Sequence, residues 1–147
     1  MDSLEEERTG GLTIDIMQTP FKSKKYFYSI IDCPGHKDFI KKILTGASQA
    51  EAAILVVSAK EGIEPQTKEH LFLIKTLGIN QLIVVVNKID MIRYSEETFK
   101  EFSENLKKML SSFGYSDATI VPVSAFYGDN VTEKSDRMEW YHGKPLI

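Results

Sequence analysis

Apolar residues fall in two rhythms along this chain. Strand-sized runs occur at Tyr26-Phe27-Tyr28-Ser29-Ile30-Ile31, Ala53 to Val57, Leu82-Ile83-Val84-Val85-Val86 and Ile120-Val121-Pro122-Val123. Such short, β-branched runs read as strands of a buried sheet. Residues near 12–18 and 25–31 form a strand pair joined by a turn region from Thr19-Pro20 to Lys25. Helical spacing fills the intervals, with Phe39, Ile40, Ile43 and Leu44 in one and Phe99, Phe102, Leu106, Leu110 and Phe113 in another. Pro65 suits the first turn of a helix through Leu77, which Gly78 ends; Ser95 with Glu96 and Glu97 starts the next, which Gly114 stops. This alternation predicts an α/β fold, a mostly parallel sheet flanked by helices, with ligands bound off the carboxyl ends of the strands.

Polar residues stand at those ends. Asn87-Lys88-Ile89-Asp90 follows the run 82–86. Asp90 offers a carboxylate that accepts from both the ring N–H and the exocyclic amine of guanine, whereas adenine lacks that pair of donors. A buried carboxylate left unpaired by the wrong base discriminates by roughly four to five decades. The Lys88 stem can lie across the base, and the Asn87 amide can tie neighbouring loops. The plain reading of the same tetrapeptide is a polar strand-end turn. Three further elements argue against it. Asp32-Cys33-Pro34-Gly35-His36 closes the run 26–31, placing a carboxylate able to hold Mg²⁺ through water and a glycine able to bring its N–H to a phosphate. Thr13 offers a hydroxyl to a metal, and Ser124-Ala125 closes the run 120–123.

Taken together these segments resemble the translational GTPases, and within them archaeal and eukaryotic elongation factor 1-alpha. The likeness runs through Glu5-Glu6-Glu7-Arg8, Gly11-Leu12-Thr13-Ile14-Asp15, Asp32-Cys33-Pro34-Gly35-His36-Lys37-Asp38-Phe39 and Thr45-Gly46-Ala47-Ser48-Gln49-Ala50-Glu51-Ala52. It continues in Gln66-Thr67-Lys68-Glu69-His70, Asn87-Lys88-Ile89-Asp90, Val121-Pro122-Val123-Ser124-Ala125, Gly128-Asp129-Asn130 and Trp140-Tyr141-His142-Gly143. The resemblance implies a P-loop NTPase-like G domain that binds GTP or GDP with Mg²⁺. Thr13 and Asp32 would serve the metal, Gly35 would sense the γ-phosphate, and His36, restrained by Leu12, would orient the attacking water. Asn87, Lys88, Asp90, Ser124 and Ala125 would hold the guanine. Aminoacyl-tRNA, the ribosome and a nucleotide exchange factor are the implied partners, and cytoplasm the implied location.

The chain also departs from that pattern. No Gly-x-x-x-x-Gly-Lys-Ser/Thr occurs in its 147 residues, although that loop cradles the phosphates in this class. The expectation is a partial G domain over residues 1–147, lacking the first, central strand and phosphate loop at its start and the later domains that follow it. The strand leading into that loop belongs between those at 25–31 and 53–57, so two apolar sheet edges are expected to stand unpaired and to invite self-association. Losing about four charge-assisted contacts of 1.5–3 kcal/mol each would weaken nucleotide binding by roughly four to nine decades. Gly10 replaces the family's usual arginine, and Lys144-Pro145 its usual Gly-Pro-Thr continuation. Three readings follow: a GTP-binding portion of an elongation factor delivering aminoacyl-tRNA, a remnant or binding module unable to hold nucleotide, and a ribosome-rescue or termination GTPase.

Composition narrows the field a little. A net charge of −3 argues against a broad nonspecific nucleic-acid footprint. Lys22, Lys24 and Lys25 read as a solvated hairpin tip, and Lys37, Lys41 and Lys42 as a solvated helix face. Cys33 is the single cysteine, which excludes an intramolecular disulfide. No apolar run is long enough for a membrane span, and the acidic N-terminus is unlike a signal peptide. His70 and His142 have no partners at metal-ligand spacing.

Overall fold

The protein is described here by a computed structural model covering residues 17–23, 25–33 and 50–147. Strands β3 (Ala52–Ser58), β4 (Gln81–Asn87) and β5 (Thr119–Pro122) form a parallel sheet in the order β3-β4-β5. Their register sets Ser58 opposite Asn87 and Val86 opposite Pro122, so the three carboxyl ends lie along one rim. Two helices connect them, α1 (Pro65–Thr76) and α2 (Glu96–Ser112).

Local chemistry sets the helix limits. Pro65 occupies the first turn of α1, where its missing N–H costs nothing, and Gly78 at φ 75° turns the chain out of it. The Ser95 hydroxyl accepts from Thr98 N at 3.3 Å and caps α2, whose first turn carries Glu96 and Glu97. At the other end Gly114, at φ 83°, supplies the left-handed residue that stops α2.

Burial explains why these elements hold together. Leu55, Val57, Leu82, Val84 and Val86 share one cluster with Leu71 of α1 and with Phe99, Leu106 and Leu110 of α2. Each fully buried aliphatic of this kind contributes about 1.5–3 kcal/mol relative to exposure. Alternate residues of the sheet face the other way, where Val85, Val121 and Val123 pack with Ile83, Val131, Tyr141 and Leu146. Thus β4 is covered on both faces, as its unbroken apolar run predicts. The run from Ala53 to Val57 is not: Ile54 and Val56 are 57% and 59% exposed. Apolar composition marks a strand suited to burial on two faces, and the described residues cover only the one carrying Leu55 and Val57. The expected helix containing Phe39 to Leu44 lies outside the described residues.

A second, two-stranded sheet pairs β1 (Met17–Lys22) with β2 (Phe27–Asp32) antiparallel. The strand pair expected near 12–18 and 25–31 is present, with its first strand running on past 18 to Lys22; residues 12–16 lie outside the described set. Thr19 and Pro20 belong to β1, not to the turn, with Pro20 opposite Ser29. A two-stranded hairpin leaves each strand an outer edge, where proline's missing donor is tolerated. Ser23 makes the turn instead: its N–H donates to Tyr26 O at 2.9 Å, and its hydroxyl accepts from the amides of Lys25 and Tyr26 at 3.3 and 3.1 Å. Among the described residues no ladder joins β2 to β3, and Phe27 of β2 is 79% exposed. No helix among them is long and apolar enough to cross a membrane.

Candidate functional site

Where β4 ends, the backbone turns sharply. Lys88 adopts φ 60°, ψ 34°, a left-handed conformation rare for a residue with a side chain, and a short 3-10 turn, Ile89–Ile92, follows. Strain of this sort persists where its surroundings over-determine it. Here Ile89 is fully buried in the core, its N–H donates to Val123 O at 3.2 Å, and Asn87 fixes the other side. Asn87 Oδ1 accepts from Lys88 N at 2.8 Å and from Ala125 N at 3.0 Å. One side-chain oxygen therefore holds the turn after β4 and joins it to the loop after β5.

A second tie crosses the same gap. Ser124, completely buried, donates its hydroxyl to Asp90 Oδ1 at 2.6 Å. Such a charge-assisted bond fixes the carboxylate's orientation and leaves Oδ2 without a hydrogen bond among the described residues. A half-buried carboxylate held by one oxygen, at the carboxyl rim of a parallel sheet, fits a ligand offering two adjacent N–H donors. Lys88 has an exposed ammonium, which pairs with Glu61 Oε1 and Oε2 at 3.1 and 3.3 Å. Glu61 comes from the loop after β3, so all three strand ends meet here. A hydrogen bond from Ser58, then the one from Lys88, holds the Glu61 carboxyl below its usual range.

Behind these loops lies a polar cluster. Asp129 N and Gly128 N donate to Ser124 O at 3.1 and 2.8 Å, and Ser124 N donates to Asp129 O at 3.2 Å, closing the loop 124–129. The Asp129 side chain accepts from the Tyr94 and Ser135 hydroxyls at 2.9 and 2.7 Å. Buried Asn130 donates to Pro122 O at 3.1 Å and accepts from Ser135 N at 2.9 Å, locking the segment after the loop to the end of β5.

The structure thus brings Asn87, Lys88, Asp90, Ser124 and Ala125 together. Asp32 ends β2, in the separate two-stranded sheet. Its neighbour Cys33 is half-buried; burial first, and the Asp32 carboxylate second, push its thiol up and keep it protonated. Thr13, Gly35 and His36, like Leu12 and the lysines at 37, 41 and 42, lie outside the described residues. No group of three or more potential metal ligands occurs among the described residues. Glu61, Tyr94 and Arg137 were not legible as site residues. Their partners stand 27, 35 and 43 positions away, and no local pattern announces such pairings.

The chain is similar to known proteins along its length. The profile of the elongation factor Tu GTP binding domain matches residues 1–141. Elongation factor 1-alpha of Thermococcus kodakarensis is 54% identical over 147 residues, all of this chain and 34% of that protein. That of Methanosphaera stadtmanae is 54% identical over 149 residues, again all of this chain and 36% of its own. The chain therefore spans about a third of the length of these relatives. Among solved structures, a bacterial selenocysteine-specific elongation factor EF-Sec superposes with a TM-score of 0.79 at 40% identity, covering 86% of this chain and 22% of that one. Elongation factor SelB from Methanococcus maripaludis, in complex with the GTP analogue GppNHp, gives 0.72 at 34% identity, covering 78% of this chain and 25% of its own.

Proposed function

We propose, given that the chain belongs to the elongation factor Tu GTP-binding domain family, that its rim of strand-end loops reads the guanine of GTP or GDP. The observation that carries this is the Asp90 carboxylate, fixed by buried Ser124 with Oδ2 left clear. Asp90 accepts from the base's ring N–H and exocyclic amine. Lys88 covers the base with its stem while Glu61 holds its ammonium, and Asn87, bonded to Ala125 N, keeps both loops at one spacing. The phosphates, when bound, supply the charge that Mg²⁺ neutralises; Thr13 and Asp32 are the residues we assign to the metal, Gly35 to phosphate sensing and His36 to orienting water. In this reading residues 1–147 are part of a G domain from a factor that delivers aminoacyl-tRNA to the ribosome in the cytoplasm and is recharged by an exchange factor. The exposed Ile54 and Val56 beside the outer edge of β3 support self-association as a further property.

One observation favours a second reading, a binding module that does not hold nucleotide: these 147 residues contain no phosphate-cradling Gly-x-x-x-x-Gly-Lys-Ser/Thr. Calorimetric titration of the chain with GDP and with ADP in Mg²⁺ separates the two. Micromolar binding selective for GDP and abolished by Asp90→Ala supports the guanine reader. Equal affinity for ADP, or GDP binding that survives Asp90→Ala, refutes it, and no binding of either nucleotide leaves the module reading standing.

A further inference from the structure

The two loops assigned to guanine are joined a third time, by groups that would not touch the base. Tyr94 closes the turn carrying Asp90: its N–H donates to Ile89 O at 3.1 Å, and its carbonyl accepts from Trp140 Nε1 at 3.0 Å. Asp129 closes the loop carrying Ser124 through two of the three backbone bonds already described. The Tyr94 hydroxyl donates to Asp129 Oδ2 at 2.9 Å, linking the two closures directly. Arg137 completes the cluster. Its Nη1 donates to the Tyr94 hydroxyl at 2.9 Å and lies 3.4 Å from Asp129 Oδ2. Its guanidinium stacks 5.6 Å from the Tyr94 ring and 5.0 Å from the Tyr127 ring.

Stability alone is a weak reason for this arrangement. The Asp129 side chain is only 13% exposed, and a carboxylate so withdrawn from water is commonly replaceable by apolar packing at little loss. What apolar packing would not supply is direction. Asp129 makes two of the three backbone bonds described for Ser124, the third coming from its neighbour Gly128, and Ser124 makes the 2.6 Å bond that orients Asp90. A displacement at Asp129 is thus passed through Ser124 to the carboxylate, and misplacement of about 1 Å can cost roughly a hundredfold in a positioned site.

We infer that Tyr94, Asp129 and Arg137 are positioning residues for guanine specificity, a brace that keeps Ser124, and through it Asp90, aimed at the exocyclic amine. The inference rests on the guanine reading proposed above. Burial, more than the adjacent Asp129 charge, pushes the Tyr94 phenol up, so it remains a donor through neutral and mildly alkaline pH.

The test uses the whole chain with Tyr94→Phe, Asp129→Ala and Asp129→Asn, and two measurements. Amide hydrogen exchange is followed at Ser124 and Ala125, with α2 as reference. Affinity is measured for GDP and for inosine diphosphate, whose base lacks the exocyclic amine. Tyr94→Phe and Asp129→Ala are expected to speed exchange at both amides roughly tenfold, the equivalent of one hydrogen bond, while α2 is unchanged. GDP should weaken at least threefold more than inosine diphosphate. Asp129→Asn, whose amide oxygen still accepts from Tyr94, should recover most of the preference. Undiminished preference for GDP in Tyr94→Phe and Asp129→Ala overturns the brace and leaves the guanine reading intact; so does equal weakening of both nucleotides, or exchange that rises as much in α2. Absence of GDP binding by the unsubstituted chain overturns the guanine reading and, with it, the specificity role.

Discussion

Asn87 concentrates two backbone contacts on one oxygen, so its removal gives a sharp stability test. Asn87→Ala deletes the acceptor for Lys88 N at 2.8 Å and Ala125 N at 3.0 Å. Each such bond contributes about 0.5–1.5 kcal/mol net. Both donors belong to exposed residues, so water takes over part of the lost bonding, and the sum falls at about 1–2 kcal/mol. The left-handed Lys88 also loses the contact that favours its conformation, which argues against the bottom of that range. For a domain of this size the change corresponds to about 2–8 °C in Tm. Urea unfolding followed by circular dichroism measures it, with the slope expected to stay constant because the surface exposed on unfolding is unchanged. Asn87→Asp keeps an oxygen facing both amides and should remain within about 0.5 kcal/mol of the unsubstituted chain. A loss below about 0.3 kcal/mol in Asn87→Ala, or an equal loss in Asn87→Asp, would refute the reasoning that this oxygen joins the loops.

Other expectations follow from the same geometry. Glu61, held below its ordinary value of 4.5 by Ser58 and then Lys88, should keep its pairing above that value and lose it as pH falls through the lowered one. A side-chain carboxyl titration monitored by NMR checks this, and a Glu61 midpoint at or above 4.5 rejects it. Tyr115, raised above the ordinary 10.0 by burial, donates to Ile79 O at 2.5 Å. Its contribution to stability should be complete below 10.0 and lost as pH rises from there through its higher folded value. Tyr115→Phe should flatten the alkaline fall in the urea midpoint, and an unchanged slope would contradict this. Val56→Lys, on the open face of β3, should change unfolding free energy by about 0.5 kcal/mol or less while shifting sedimentation toward monomer. An unsubstituted chain that already sediments as a monomer at high micromolar concentration would remove the case for association.

Reading the fold from sequence worked where one residue or one short run decides the outcome. Ser95 and Gly114 bound α2 because a hydroxyl cap and a left-handed glycine act within a few positions of themselves. The Asn-Lys-x-Asp tetrapeptide could be placed at a strand end because Leu82 to Val86 is apolar throughout, which is the signature of a strand covered on both faces. Pro20 misled for an equally local reason. Proline punctuates turns, but in a two-stranded hairpin its missing donor can also face outward from a strand, and Ser23 had the better turn chemistry.

Side-chain partnerships at long separation were not legible. The sequence marks Asp129 within Gly128-Asp129-Asn130, yet nothing near it names Tyr94 or Arg137, and Lys88 carries no glycine-like sign of its positive φ. The apolar run of β3 shows a different limit. Its composition matches that of β4, but Val85 is buried beneath the segment that includes Tyr141 and Leu146, while Ile54 and Val56 remain open. A run of apolar residues records what a strand is suited to meet, and the packing records what these residues meet. That difference separates two properties of the chain: the rim that would read guanine is braced by loops at the carboxyl ends of the strands, whereas association would act through the open face of β3 that carries Ile54 and Val56. Substitutions at Val56 should therefore change assembly without changing base selectivity, and substitutions at Tyr94 or Asp129 should do the reverse.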